Sequence, residues 1–209
     1  RRRNSFDKIS KWDNVYCPIS FYILTQARKD ITMHRQQGNG IYEWCETIVF
    51  AISAALIILV FGFGFSRVNG SSMYPTLVEG EQVLTCSFLY SPERGDVITT
   101  DALIPYGKPL VKRVIALEGD TVWIDGSTGS VYLNGELLEE DYLPEGTLTM
   151  PDDRTEEFTV PEGKVFVMGD NHSGSLDGRS LEVGFIDERD IIGEVLFCVS
   201  PFSSFRRIE

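Results

Sequence analysis

The chain has 209 residues, 43% of them hydrophobic. That is enough for one domain with a core plus an appendage, and too apolar for a broadly disordered protein. The net charge of −12 is unevenly divided: residues 1–46 hold eight Lys/Arg against five Asp/Glu, or +3, and the remainder holds 11 against 26, or −15. So acidic a main domain would repel phosphates, which argues against nucleic acid as a partner.

Residues 1–46 read as a cytoplasmic N-terminal segment. Thr47 to Ser66, TIVFAISAALIILVFGFGFS, contains no charge. At about 1.5 Å per residue it covers roughly 30 Å, the thickness of a bilayer core. Tyr42 and Trp44 precede it, where an interfacial aromatic belt belongs. A cleavable signal peptide would lie nearer the N-terminus with a shorter apolar core, so 47–66 reads as an uncleaved single-pass transmembrane anchor. Arg28, Lys29 and Arg35 lie close on its N-terminal side and only Arg67 on the other. The positive-inside bias then places the N-terminus in the cytoplasm and residues 67–209 outside, at the cell membrane.

After the anchor the pattern turns to short β-rich runs. DVITT, LVKRVIAL, DTVWID, SVYLNGELL, GKVFVMGD and DIIGEVLFCV all read as strands, and Asn134–Gly135 as a two-residue hairpin turn. No helical period of useful length follows the anchor. The expected fold is mostly β, a partly closed mixed β-sheet domain behind one helix. Residues 125–163, with LLEEDYLPEG and PDDRTEE, read as an acidic excursion without evident chemistry. The four cysteines, Cys17, Cys45, Cys86 and Cys198, form no CxxC pair, which speaks against zinc. Cys86 and Cys198 read as buried thiols on strands, with one disulfide between them as the alternative.

NGSSMYPTL at 69–77 places two hydroxyls just past the apolar run. A serine is a weak nucleophile until a base takes its proton. There are two histidines: His34 lies before the anchor and His172 in MGDNHSGSLDGRS. A lysine serves as base only when neutral, which requires its ordinary pKa near 10.4 to be lowered by burial or a neighbouring positive charge. Lys112 stands in PLVKRVIAL, the most apolar of the strand-like runs, with Leu110, Val114 and Ala116 in its row. An edge strand carrying two solvated bases, Lys112 and Arg113, is the competing reading of this segment.

Three blocks in order, GSSMYPTL, KRVIALEGD and MGDNHSGSLDGRS, with RGDVI at 94–98 as a fourth, resemble the type I signal peptidases, membrane-anchored serine proteases with a Ser–Lys dyad. The likeness covers roughly residues 67–201, and its single anchor is closer to the simpler Gram-positive enzymes. It implies Ser72 as nucleophile, Lys112 as general base and Ser175 as the hydroxyl that orients the lysine. It also implies a structural pair of Asp177 and Arg179, and an oxyanion site from the backbone at Gly70 and Ser72. The serine some members carry two residues before the nucleophile is Gly70 here, and the one often found between Asp177 and Arg179 is Gly178. Having Lys112 in place leaves His172 as a neighbour of the site.

Val68, Met73, Leu77, Leu110 and Val111 are candidate walls of shallow apolar pockets for substrate side chains. Small pockets select small residues, as in an Ala-x-Ala site. The reading is therefore a serine endopeptidase that removes signal peptides from exported preproteins. It would need no cofactor and no metal, with signal peptides and membrane lipid as partners and no nucleic acid. A Ser–Lys protease dedicated to one precursor is the second enzymatic reading. A catalytically silent, membrane-tethered binding domain is the reading from another class.

Overall fold

The computed structural model describes residues 40–101, 106–153 and 156–208. Most of the expected cytoplasmic segment lies outside these residues, and so do Arg28, Lys29 and Arg35, on which the expected orientation rests.

The first described element is helix α1, Gly40–Gly62. It is long and apolar enough to cross a membrane. Its bounds correct the expected span of 47–66. The helix begins seven residues earlier and ends at Gly62, and Phe63–Arg67 form strand β1. Glycines at 62 and 64 weaken the helix at its end. β1 then pairs along its whole length with β2, Gln82–Cys86, with Phe65 opposite Leu84. Hydropathy alone does not separate apolar residues in a last helical turn from apolar residues in an adjoining strand.

The β-rich unit contains two sheets. The strands that follow are β3 (Val97–Thr100), β4 (Val111–Ala116), β5 (Thr121–Asp125), β6 (Ser130–Leu133) and β7 (Glu136–Leu137), then β8 (Glu157–Thr159), β9 (Lys164–Met168), β10 (Ile186–Asp187), β11 (Ile191–Ser200) and β12 (Arg206–Arg207). The larger sheet runs β1-β2-β11-β3-β4-β9-β10, with β12 beside β11, and the smaller β7-β6-β5-β8. A mostly β, curled and partly closed architecture is as expected. A mixed sheet is not found: every pairing among the described strands is antiparallel. Parallel pairs need long crossovers, usually helical, and beyond α1 the described helices are two three-residue 3-10 turns. Asn134 and Gly135 both have positive φ, 54° and 86°, as a tight hairpin requires.

Lys112 and Arg113 sit on an interior strand, since β4 lies between β3 and β9, so the edge-strand reading fails. A bulge falls between Val114 and Ala116. It breaks the expected row: Val114 packs with Ile98, Val165, Val167 and Ile186, whereas Ile115 and Ala116 both join a cluster with Val122, Ile124 and Phe166. A bulge adds one residue and resets which side chains share a face.

The excursion is also corrected. It begins earlier, with β5, whose partners β6, β7 and β8 build the smaller sheet. Its loop from 138 to 150 packs on the residues around Lys112, as described below. Cys86 and Cys198 are free, and Cys198 is buried.

Candidate active site

Ser72 lies in a tight turn directly after β1. The turn is closed by Tyr74 N–H donating to Ser71 O at 3.1 Å and Leu77 N–H to Met73 O at 2.8 Å. Met73 and Leu77 plug into a cluster with Val68, Val83, Val97, Val195 and Cys198, so the turn is nailed down on both sides of the hydroxyl. Lys112 comes from β4, opposite Ile98 of β3. Its side chain is only 2% exposed, and its Nζ stands 2.7 Å from Ser72 Oγ. Burial disfavours the ammonium and brings the lysine pKa down to about 8; Asp177 and Asp170 oppose that shift and Arg179 adds to it.

The loop after β9 clamps the turn. Asp170 receives two hydrogen bonds from Arg113, Nε at 3.0 Å and Nη2 at 2.8 Å, and one from Thr76 Oγ1. Asn171 donates its backbone N–H to Ser72 O at 3.0 Å and its side-chain amide to Ser71 O at 3.1 Å. Arg113, adjacent to Lys112, and Thr76, four residues past Ser72, are thus joined through one buried carboxylate. Asp177 and Arg179 form a buried two-bond pair at 2.8 Å each. Asp177 also accepts from Gly169 N–H at 3.0 Å, and burial of its carboxyl is outweighed by Arg179, which holds its pKa below the usual range.

A groove of about 290 Å³ runs past Ser72 and Lys112, lined by Ser66, Arg67, Val68, Asn69, Met73, Thr99, Pro109, Leu110 and Val111. Val68, Met73, Leu110 and Val111 lie where pocket walls were expected. Leu77 does not: it is fully buried in the cluster beneath the turn. The helix-like Leu77 N–H to Met73 O hydrogen bond carries Leu77 beneath the turn and away from the groove, which Met73 still lines. An apolar residue five positions past Ser72 suits a pocket wall or the core equally well, and the sequence does not say which.

A buried amine beside a serine hydroxyl, with an apolar groove alongside, is an arrangement for acyl transfer. The comparisons agree. A family model described as "Signal peptidase, peptidase S26" matches residues 41–200. The chain belongs to the signal peptidase family, S26. Signal peptidase I of Bacillus licheniformis is 36% identical over 180 residues, covering 82% of this chain and 95% of the relative. Signal peptidase I S of Bacillus subtilis is 34% identical, covering 81% and 94%. A solved signal peptidase I from Enterococcus faecalis is 32% identical with a TM-score of 0.42, covering 51% of this chain and 97% of that one. The chain is a serine peptidase hydrolase.

Within the signal peptidase family the two departures noted in the sequence have different physical settings. At Gly70, φ is 85° and a Cβ would meet no atom within 4 Å, so the open space there is matched by a backbone that disfavours a side chain. At Gly178 a Cβ would lie 2.7 Å from Val167 O and 2.8 Å from the Phe166 ring. A serine cannot occupy that position without displacing β9.

Ser175 Oγ is buried and makes no hydrogen bond to Lys112; it lies by the Asp177 carboxyl, whose pKa it helps to lower. Sequence reasoning missed Gly169, Asp170 and Asn171. A Cβ on Gly169 would sit 2.2 Å from Ser175 Oγ and 2.4 Å from Ser72 O. The run Gly-Asp-Asn was visible, yet nothing local in it says that it faces residues 71–76.

Proposed function

We propose that this chain is a membrane-anchored endopeptidase that cleaves signal peptides from exported preproteins after small residues, with Ser72 as nucleophile and Lys112 as general base. The observation that carries the reading is the 2.7 Å approach of a buried lysine nitrogen to Ser72 Oγ. Ser72 Oγ attacks the scissile carbonyl as its proton passes to Lys112 Nζ. The oxyanion forms against the Ser72 N–H, which donates to no acceptor among the described residues, with the exposed backbone at Gly70 beside it. Lys112 then protonates the leaving amine. It next takes a proton from a water that attacks the acyl ester and returns that proton to Ser72 Oγ as the ester bond breaks. Asp170, Asn171 and the Asp177–Arg179 pair hold the geometry, and the role of orienting the amine falls to the buried hydroxyl of Ser175.

The substrate peptide lies extended in the groove. Val68, Met73, Leu110 and Val111 offer small side chains a shallow apolar bed. Helix α1 as a single-pass anchor brings the groove to exported chains, with the residues before it on the cytoplasmic side and the β unit outside. The groove follows α1 in sequence by only a few residues, which suits a cleavage site next to a bilayer-held apolar segment.

The test is incubation of the detergent-solubilised chain with several unrelated preproteins across pH 6 to 10, reading product N-termini by mass spectrometry. Cleavage should follow Ala-x-Ala-like sites, and kcat/KM should rise about tenfold per pH unit below the lysine pKa and level off above it. The midpoint should lie near 8, because the neutral amine is the active form. A flat profile would rule out the lysine base, and cleavage of one precursor alone would favour a dedicated processing protease.

A further inference from the structure

Asp170, Asn171 and His172 are consecutive, and the first two grip the nucleophile turn. The third side chain is fully buried and reaches instead into residues 138–150. Its Nδ1 lies 2.5 Å from Thr149 Oγ1, and Thr149 is itself only 1% exposed. Its Nε2 is buried without a hydrogen bond and faces Glu140 Oε1 at 3.6 Å. Glu140 accepts from Tyr142 OH at 2.9 Å, and the Tyr142 ring lies 4.0 Å from the Arg113 guanidinium carbon. Arg179 Nη1 donates to Met150 O at 3.3 Å. Residues 138–150 are therefore a strap fastened to the clamp at three points.

We propose that His172 is a positioning residue for Ser72: it keys the strap to the clamp, and so fixes where Asn171 holds the Ser71 and Ser72 carbonyls. The proposal rests on the reading of Ser72 as nucleophile. Its physical basis is a defined tautomer. A bare Nε2 lone pair facing the Glu140 carboxyl oxygen would be repelled, whereas Nε2–H facing it is attracted. Nδ1 is then the acceptor, and the Thr149 hydroxyl donates to it. The groups facing the imidazole are Thr149 and Glu140 from the strap and Arg179, Asp177 and Asp170 from the clamp. Burial first, then Arg179, brings its pKa down to about 4, so the ring is neutral wherever Lys112 is active. Neutrality keeps the Thr149 hydrogen bond pointing one way throughout the working range.

The test compares the whole chain in detergent with His172→Ala, His172→Asn and Thr149→Val. Asparagine places an acceptor where Nδ1 stands, and valine keeps the threonine volume without its hydroxyl. His172→Ala should lower kcat about 10- to 100-fold, the cost of an ångström-scale misplacement, with KM within about twofold. His172→Asn should recover most of that loss, and Thr149→Val should reproduce the deficit without a cavity, even where His172→Ala does not fold. Full kcat in Thr149→Val, equal loss in the alanine and asparagine variants, or a loss carried by KM would overturn the proposal. Ring ¹⁵N spectra should show the Nε2–H tautomer, assigned by its absence in His172→Asn; an Nδ1–H ring would overturn it too. An unmodified chain that cleaves no preprotein would instead defeat the nucleophile reading, and the spectra would still decide how the strap is keyed.

Discussion

Lys112→Met should abolish cleavage and at the same time make the folded chain more stable. The lysine is 2% exposed, and its pKa falls from an ordinary 10.5 to about 8 on folding. A shift of that size corresponds to about 3 kcal/mol at about 1.4 kcal/mol per unit. The sign follows from linkage. The folded chain holds this proton less tightly than the unfolded chain, so the penalty is full below pH 8 and fades between 8 and 10.5. Methionine fills the same unbranched volume with no charge to desolvate. At pH 7 urea unfolding should show a gain of about 2–3 kcal/mol, less than the full penalty because the contact with Ser72 is lost. Above pH 10.5 the variant and the unmodified chain should converge. Activity should fall by at least about 10³-fold, as it does when a nucleophile–base unit loses a member. Ser72→Ala should lose as much activity without the stability gain, since the buried lysine remains. A methionine variant less stable than the unmodified chain at pH 7 would show that the amine is well solvated or well paired, and the base assignment would fall with it.

This inversion, in which the proposed general base opposes the fold, explains why the site was partly legible in the sequence. A lysine in the most apolar strand contradicts its surroundings, and such contradictions collect at functional sites. The serine turn was legible for a similar reason, as a hydroxyl pair just past an apolar run. The strands were legible through alternation and the hairpin through Asn134–Gly135, because both signals are local. What was not legible depends on distant pairings. β1 is a strand because β2 and β11 complete its sheet, and nothing within residues 63–67 states that. Leu77 is core because the turn rolls it under Ser72. The strap stood out in the sequence only as acidic and turn-rich, and its role depends on Thr149 meeting His172 and Tyr142 covering Arg113, across 23 and 29 residues of chain. Asp170 looked like one more acidic residue in an acidic domain until Arg113 and Thr76 were placed beside it.

Arg113→Met should cost about 3–5 kcal/mol, among the largest losses any single replacement in the β unit can cause, because it strands a buried carboxylate. Arg113 and Asp170 have side chains 3% and 1% exposed and share two hydrogen bonds. The guanidinium also donates to Gly95 O at 2.7 Å and lies under the Tyr142 ring, so its loss unpairs three neighbours at once. Asp170 without its arginine keeps only the Thr76 hydrogen bond named above for a buried carboxylate, which is unfavourable. Because Asp170 also accepts from Thr76, the strain should reach the nucleophile turn and lower kcat in molecules that still fold. Replacing both partners by apolar residues, Arg113→Met with Asp170→Leu, removes the charge along with its partner. That double variant should regain a large part of the lost stability while leaving kcat low, since Thr76 now lacks its acceptor. Urea unfolding and preprotein kinetics on the three chains separate these effects. If the double variant is no more stable than Arg113→Met, the ion pair is not the source of the loss; if it regains kcat together with stability, Asp170 braces the fold alone and takes no part in holding Ser72.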